Sequence, residues 1–183
     1  MKSVWNQYKL LAIIAPAVVL LDQLTKALIR QWLPLSDMWL PAGMEGLMPY
    51  ARIVHWYNTG VAFGMFQGRG WIFSLFGLLV IGAIVYYYPR VPREDWPLRA
   101  AMGLQMGGAL GNMIDRVTIG HVTDFISVGT FPVFNVADSA ITIGVGVLLI
   151  GIWLQERREK QQAAEGTLQS DQPQTVGGEH VEP

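Results

Sequence analysis

The 183-residue chain has no cysteine, which rules out disulfides, thiolate nucleophiles and cysteine-held metals. Histidine is scarce: His55, His121 and His180 lie far apart and no HExxH occurs, so a zinc hydrolase is not expected. Charge is thin as well. Charged residues make up 15% of the chain and the net charge is −1, so nothing suggests a nucleic-acid partner. No internal repeat is evident. Residues 161–183 lack Lys, Arg and apolar periodicity but hold four acids and five glutamines, the composition of a disordered tail.

What is present is apolar sequence in long blocks, 51% of residues, the profile of a membrane protein. Spans are expected at about 8–30, 71–88, 98–115 and 137–155. The first follows a short basic start (Lys2, Lys9) but has no small-residue cleavage pattern and continues through Asp22, Lys26 and Arg30, so it reads as a helix and not a signal peptide. Pro16 within it predicts a kink. The second ends in an aromatic run, Tyr86 to Tyr88, suited to an interfacial belt. The third carries Gly103, Gly107 and Gly111 at intervals of four, a ridge for close helix packing. Four spans put both termini on one side. Eight basic residues (Lys2, Lys9, Arg90, Arg93, Arg99, Arg157, Arg158, Lys160) fall there against five (Lys26, Arg30, Arg52, Arg69, Arg116) elsewhere, which favours cytoplasmic termini and outer loops at about 33–70 and 117–136.

Asp22 and Lys26, four apart with the acid first, share a helix face. They either anchor the helix as an interfacial pair or orient a site. The 33–70 loop is broken by Pro34, Pro41, Gly43, Gly46 and Pro49, with a strand expected at Arg52 to Tyr57. Its Gly60, Gly64, Gly68 and Gly70 suggest hinges for a flap. In His121 to Val128 the alternation puts Asp124 on a face with Val122, Ile126 and Val128, where desolvation should raise its pKa. Gly129-Thr130 can turn the chain and Phe131 to Phe134 can return as a partner strand, with Pro132 limiting it to an edge. Asn135 reads as an N-cap with Asp138 in the first helical turn. A protonated Asp124 and an ionised Asp138 would form an acid/base pair: one takes a proton from water, the other donates to the carbonyl oxygen, then to the leaving nitrogen. Asn58, Asn112, Asn135 and Arg116 could orient a peptide and stabilise an oxyanion. Asp115, beside Arg116, ranks as supporting.

A proton-coupled carrier using Asp22, Lys26, Asp115 and Arg116 is the main rival reading, but it predicts acids deep in the spans. A non-enzymatic assembly factor leaves Asp124 unexplained, and no serine has a credible Lys or His partner.

Five blocks carry a resemblance: Asp22-Gln-Leu-Thr-Lys26, Asn58-Thr-Gly-Val-Ala-Phe-Gly64, Gly107-Gly-Ala-Leu-Gly-Asn-Met-Ile-Asp-Arg116, Val122-Thr-Asp-Phe-Ile126 and Phe134-Asn-Val-Ala-Asp138. Together they make the chain, from about Leu10 to Gln155, resemble the bacterial signal peptidase II family of membrane aspartic peptidases. The resemblance implies four transmembrane helices with an outer β-cradle, no metal or other cofactor, and Asp124 and Asp138 as the catalytic dyad. It implies Asn58, Gly60, Asn112, Arg116 and Asn135 as substrate-binding residues, with Asp22, Lys26, Gly108 and Asp115 in support. The implied substrate is a prolipoprotein cut just before its diacylglyceryl-modified cysteine, in contact with membrane lipids and blocked by globomycin-type inhibitors. The implied setting is the bacterial cytoplasmic (inner) membrane, with a monomer whose site faces outward.

Overall fold

The computed structural model describes residues 2–60 and 70–170. Four helices, α1 (Lys2–Trp32), α2 (Gly70–Tyr87), α3 (Trp96–Thr118) and α4 (Val136–Ser170), are joined by segments that contain three strands, β1 (Met38–Trp39), β2 (Ala51–Asn58) and β3 (Val122–Val128). Residues 1–148 form one compact unit and residues 149–183 a second. In the second, the described part is helical to Ser170, with Arg157 over the Trp153 ring and Lys160 3.6 Å from Glu156. Helix therefore occupies 161–170 of the stretch expected to be disordered, where Gln161, Gln162, Ala163, Ala164 and Glu165 are good helix formers. Residues 171–183 lie outside the described residues.

Among the described residues three helices are long and apolar enough to cross a membrane: Trp5–Trp32, Gly70–Arg90 and Val136–Arg158. The fourth expected span, α3, does not qualify, and its packing supplies the reason. It is the inner helix, with Arg99, Asn112 and Asp115 buried alongside its glycines and alanines, so its composition answers to protein neighbours. By contrast α2 buries only Ile84 and exposes Trp71, Leu75, Phe76, Leu78 and Leu79, which suits a surround of lipid.

The glycine ridge packs as its spacing predicts. A Cβ on Gly103, Gly107 or Gly111 would fall 2.9 Å from Ile14 Cβ, 2.6 Å from Val18 Cβ and 2.5 Å from Asp22 Oδ2 respectively. Three glycines four apart thus meet three residues four apart on α1. Another contact draws in α4: a Cβ on Gly108 would sit 2.4 Å from the Ala137 carbonyl oxygen. At the far end of α3, Arg99 lies over the Tyr88 ring and donates to the carbonyls of Val91 and Gln7. Leu11, Ile84, Tyr88 and Met102 form the apolar core beside it.

The strands make one antiparallel sheet in the order β1-β2-β3. β2 is one residue longer at each end than the expected strand and β3 starts one residue later, whereas the two-residue β1 had no sequence signal. Phe131 to Phe134 does not return as a strand. It reaches β3 through a single bridge, Phe134 to Ile126, because Pro132 can donate no ladder bond. Gly129, at φ +52°, makes the turn.

Candidate active site

The first turn of α4 is closed by a reciprocal cap. Asn135 Oδ1 accepts the Asp138 N–H at 3.0 Å while Asp138 Oδ2 accepts the Asn135 N–H at 3.1 Å, the capping-box arrangement with Asp in place of Glu. This fixes the Asp138 carboxyl against the helix N-terminus, where negative charge is favoured. Its other oxygen accepts Asn112 Nδ2 at 2.8 Å. Asp22 Oδ1, arriving from α1, accepts the Ala137 N–H at 3.0 Å, so another orphan donor of the helix start is satisfied.

Asp124 reaches the same place from β3. It is 1% exposed, with Oδ1 accepting Asn135 Nδ2 at 2.7 Å and Oδ2 accepting Asn58 Nδ2 at 2.9 Å. Asn135 therefore bonds both aspartates. Burial first, then the neighbouring Asp138 carboxyl, pushes the Asp124 pKa from 3.8 up to about 7, against the two amide donors, which pull it down. The strand-face expectation for Asp124 thus holds, although the opposite face is not open to water: Thr123 and Ser127 are buried too.

Asn58 gets there through a bulge. Between the pairs Ile53–Ile126 and Trp56–Asp124, β2 has two residues, Val54 and His55, where β3 has one. The extra residue shifts the register by one and so exchanges the faces of everything beyond it. Asn58 now pairs with Val122 and shares the face of Asp124; without the bulge it would point the other way. The Gly60 N–H donates to Asn58 Oδ1 at 3.0 Å, which leaves Nδ2 as the end aimed at Asp124.

Beneath the aspartates lies a buried charge cluster. Lys26 Nζ sits 2.9 Å from Asp22 Oδ2 and 3.2 Å from Asp115 Oδ2, and donates to Asn112 Oδ1 at 3.0 Å. Because an ammonium can only donate, it turns the Asn112 amide so that Nδ2 faces Asp138, while Asn112 Oδ1 also takes Asn135 Nδ2 at 3.1 Å. Asp115 in turn accepts the Thr123 N–H at 3.0 Å, tying β3 to α3. Of the two sequence readings of Asp22 and Lys26, the geometry matches orientation of a site: both are fully buried.

The pocket above these groups has a volume of about 780 Å³ and is lined by Asn58, Gly60, Asn112, Arg116 and Asp138 at one end and by apolar side chains of α2, α3 and α4 beyond. Arg116 Nε is buried and has no hydrogen-bond partner among the described residues, and its guanidinium lies 5.8 Å from the Phe73 ring centre. All eleven residues singled out from sequence come together here, Gly108 through its contact with Ala137. The flap hinges Gly64 and Gly68 lie outside the described residues. Among the described residues no group of three or more His, Asp or Glu side chains is placed to hold a metal.

Two contributors went unread. Gln23 Nε2 lies within hydrogen-bond distance of Asp22, Asp115 and the Gly111 carbonyl, at 3.1 to 3.2 Å, and Arg30 donates to Thr123 Oγ1 at 3.0 Å and lies 3.5 Å from Asp115. Arg30 had a signal, being one more step of four after Asp22 and Lys26. Gln23 had none.

A sequence model of the family described as signal peptidase (SPase) II matches residues 14–154. The chain is 41% identical over 150 residues to a lipoprotein signal peptidase of Shouchella clausii, covering 81% of this chain and 96% of that one. It is 40% identical over 151 residues to a lipoprotein signal peptidase of Symbiobacterium thermophilum, covering 80% and 95%. Among solved structures it is similar to a bacterial membrane enzyme determined in meso at 2.3 Å resolution, with TM-score 0.72 and 32% identity over 80% of this chain and 88% of that one. A second, at 1.9 Å, gives TM-score 0.68 and 33% identity over 78% and 91%.

Proposed function

Because the chain belongs to the signal peptidase II family, and is thus a bacterial integral membrane peptidase, we propose that it cleaves diacylglyceryl-modified prolipoproteins just before the lipidated cysteine by an aspartic mechanism. The observation that carries this reading is Asn135, whose side chain and backbone bond Asp124 and Asp138 at once. Two carboxyls held by one residue can share one water between them.

Asp124, whose pKa is raised to about 7, is the group that carries the proton below neutrality; Asp138, at the helix N-terminus, is the base. Asp138 takes a proton from water as the oxygen adds to the scissile carbonyl carbon, and Asp124 protonates the carbonyl oxygen. The resulting diol collapses with rupture of the C–N bond. Asp138 passes its proton to the leaving nitrogen, in place of the second donation by Asp124 expected from the sequence, and a diol proton returns to Asp124, which restores both groups. The Arg116 guanidinium, which lines the pocket, supports the developing oxyanion.

In this reading α3 is the fourth crossing, screened from lipid by its neighbours. The termini are cytoplasmic and the sheet stands at the outer face of the cytoplasmic membrane, as the distribution of Lys and Arg favours. The apolar walls of α2 and α4 admit the acyl chains from the bilayer, globomycin-type inhibitors compete for the same pocket, and the chain acts as a monomer.

Asp124→Asn and Asp138→Asn are each expected to abolish release of the signal peptide from a lipidated precursor in a gel-shift assay, while the variants stay monodisperse in detergent. Turnover retained by either one overturns the dyad.

A further inference from the structure

Gln105 stands seven residues, hence two turns, before Asn112 on the same face of α3, and both line the pocket. At the helical rise this separates them by roughly 10 Å along the axis. The pocket wall is mostly apolar, with Phe76, Val80, Ala109, Ile141 and Val145 among its lining, and Ser139 and Thr142 are further polar groups that α4 brings to it. Its Nε2 is buried and has no hydrogen-bond partner among the described residues. The side chain stem is clamped, since a Cβ on Gly144 of α4 would lie 2.7 Å from Gln105 Cγ. An amide donor held in apolar surroundings without an acceptor is an expensive feature for a membrane helix to carry, and it points to an acceptor supplied from outside the chain.

We propose that Gln105 is a specificity-determining residue whose amide donates to an ester carbonyl of the diacylglyceryl group on the substrate cysteine. This rests on the substrate proposed above. Chain geometry supports the match. From the scissile carbonyl carbon, through nitrogen, Cα, Cβ, sulfur and the first two glycerol carbons to the nearer ester carbonyl, there are eight bonds, on the order of 10 Å when extended. A peptide with its scissile bond at Asp138, beside Asn112, therefore brings that ester level with Gln105. The ester carbonyl is also a feature of bilayer phospholipids, so the test separates the two sources.

Two precursors with the same peptide are compared, one carrying a diacyl ester glyceryl group and the other its dialkyl ether counterpart, which lacks both carbonyls. With the full-length wild type in detergent, kcat/KM should favour the ester about fivefold to tenfold, the effect of one hydrogen bond. In Gln105→Met, unbranched and of similar length, that ratio should fall to near one. A merely structural role lowers both rates together and leaves the ratio unchanged, which overturns the proposal. A wild-type ratio of one overturns it as well. If the wild type cleaves neither precursor, the substrate reading itself has failed.

Discussion

All four carboxyl oxygens of Asp124 and Asp138 accept an N–H, from Asn135, Asn58, Asn112 and the Asn135 backbone. Each oxygen has a second lone pair, and those are what remain for the shared proton and the water. In the proposed mechanism, loss of the Asp124 proton disables the general acid. With its pKa raised to about 7, the protonated form prevails below that value, so kcat/KM should fall about tenfold per pH unit above neutrality. A pH profile with an unmodified precursor checks this; a flat profile to pH 9 removes Asp124 as the acid. Linkage runs the same way. The raised value stabilises the fold below the unfolded pKa of 3.8, and that contribution is lost as pH rises through about 7. At this scale the sequence was informative wherever spacing defines geometry. Asn135 and Asp138 are three apart, which is the capping-box interval, and Asp22, Lys26 and Arg30 step by four along one face. The bonds of Gln23 and the turning of the Asn112 amide by Lys26 depend on contacts 86 to 92 residues apart in the chain, and no local pattern encodes them.

Among the elements, α3 positions the most. It meets α1 through Gly103, Gly107 and Gly111 and the start of α4 through Gly108, so the Asp138 turn is located by backbone contact. Gly108→Ala would drive a methyl group into the Ala137 carbonyl at 2.4 Å and displace the turn that holds Asn135 and Asp138. Activity should drop by tenfold or more, since a shift of about 1 Å in catalytic geometry costs on the order of a hundredfold, and the melting temperature should fall with it. Gly146→Ala, with nothing within 4 Å of its Cβ, should leave both unchanged. Equal behaviour of the two variants in a thermal shift and cleavage assay would refute the packing argument. The glycine ridge was legible because its spacing of four is itself the contact pattern. The β2 bulge was not legible: register between strands some 65 residues apart is set by backbone pairing, and Asn58 looks like an ordinary turn residue until the extra residue brings it to the face of Asp124.

For the whole molecule, hydropathy and family boundaries diverge in a useful way. Hydropathy finds α1, α2 and α4 and passes over α3, since a helix enclosed by others has no lipid to satisfy. The family match ends at residue 154, and among the described residues none beyond it takes part in the site. Truncation after Lys160 should therefore leave kcat/KM for a lipidated precursor within about twofold, the ordinary effect of a change remote from site and core; a larger loss would give residues 161–183 a part in catalysis.

The reciprocal cap on α4 has a consequence for biosynthesis. Chains emerge from the N-terminus onward, and α4 is the last of the four helices to be made. A nascent chain that has inserted α1, α2 and α3 already contains Asn58, Asn112 and Arg116, and Asp124 follows in β3, where Asn58 bonds it, but the second carboxyl and the bonds of Asn135 are missing and Asn112 has nothing to donate to at the site. Asn135 and Asp138 arrive together, on one turn, when that final helix docks under Asp22. If Asp124 and Asp138 are the proposed dyad, competence to cut is acquired in a single late event, and a chain that lacks α4 should be inert in the bilayer instead of partly active.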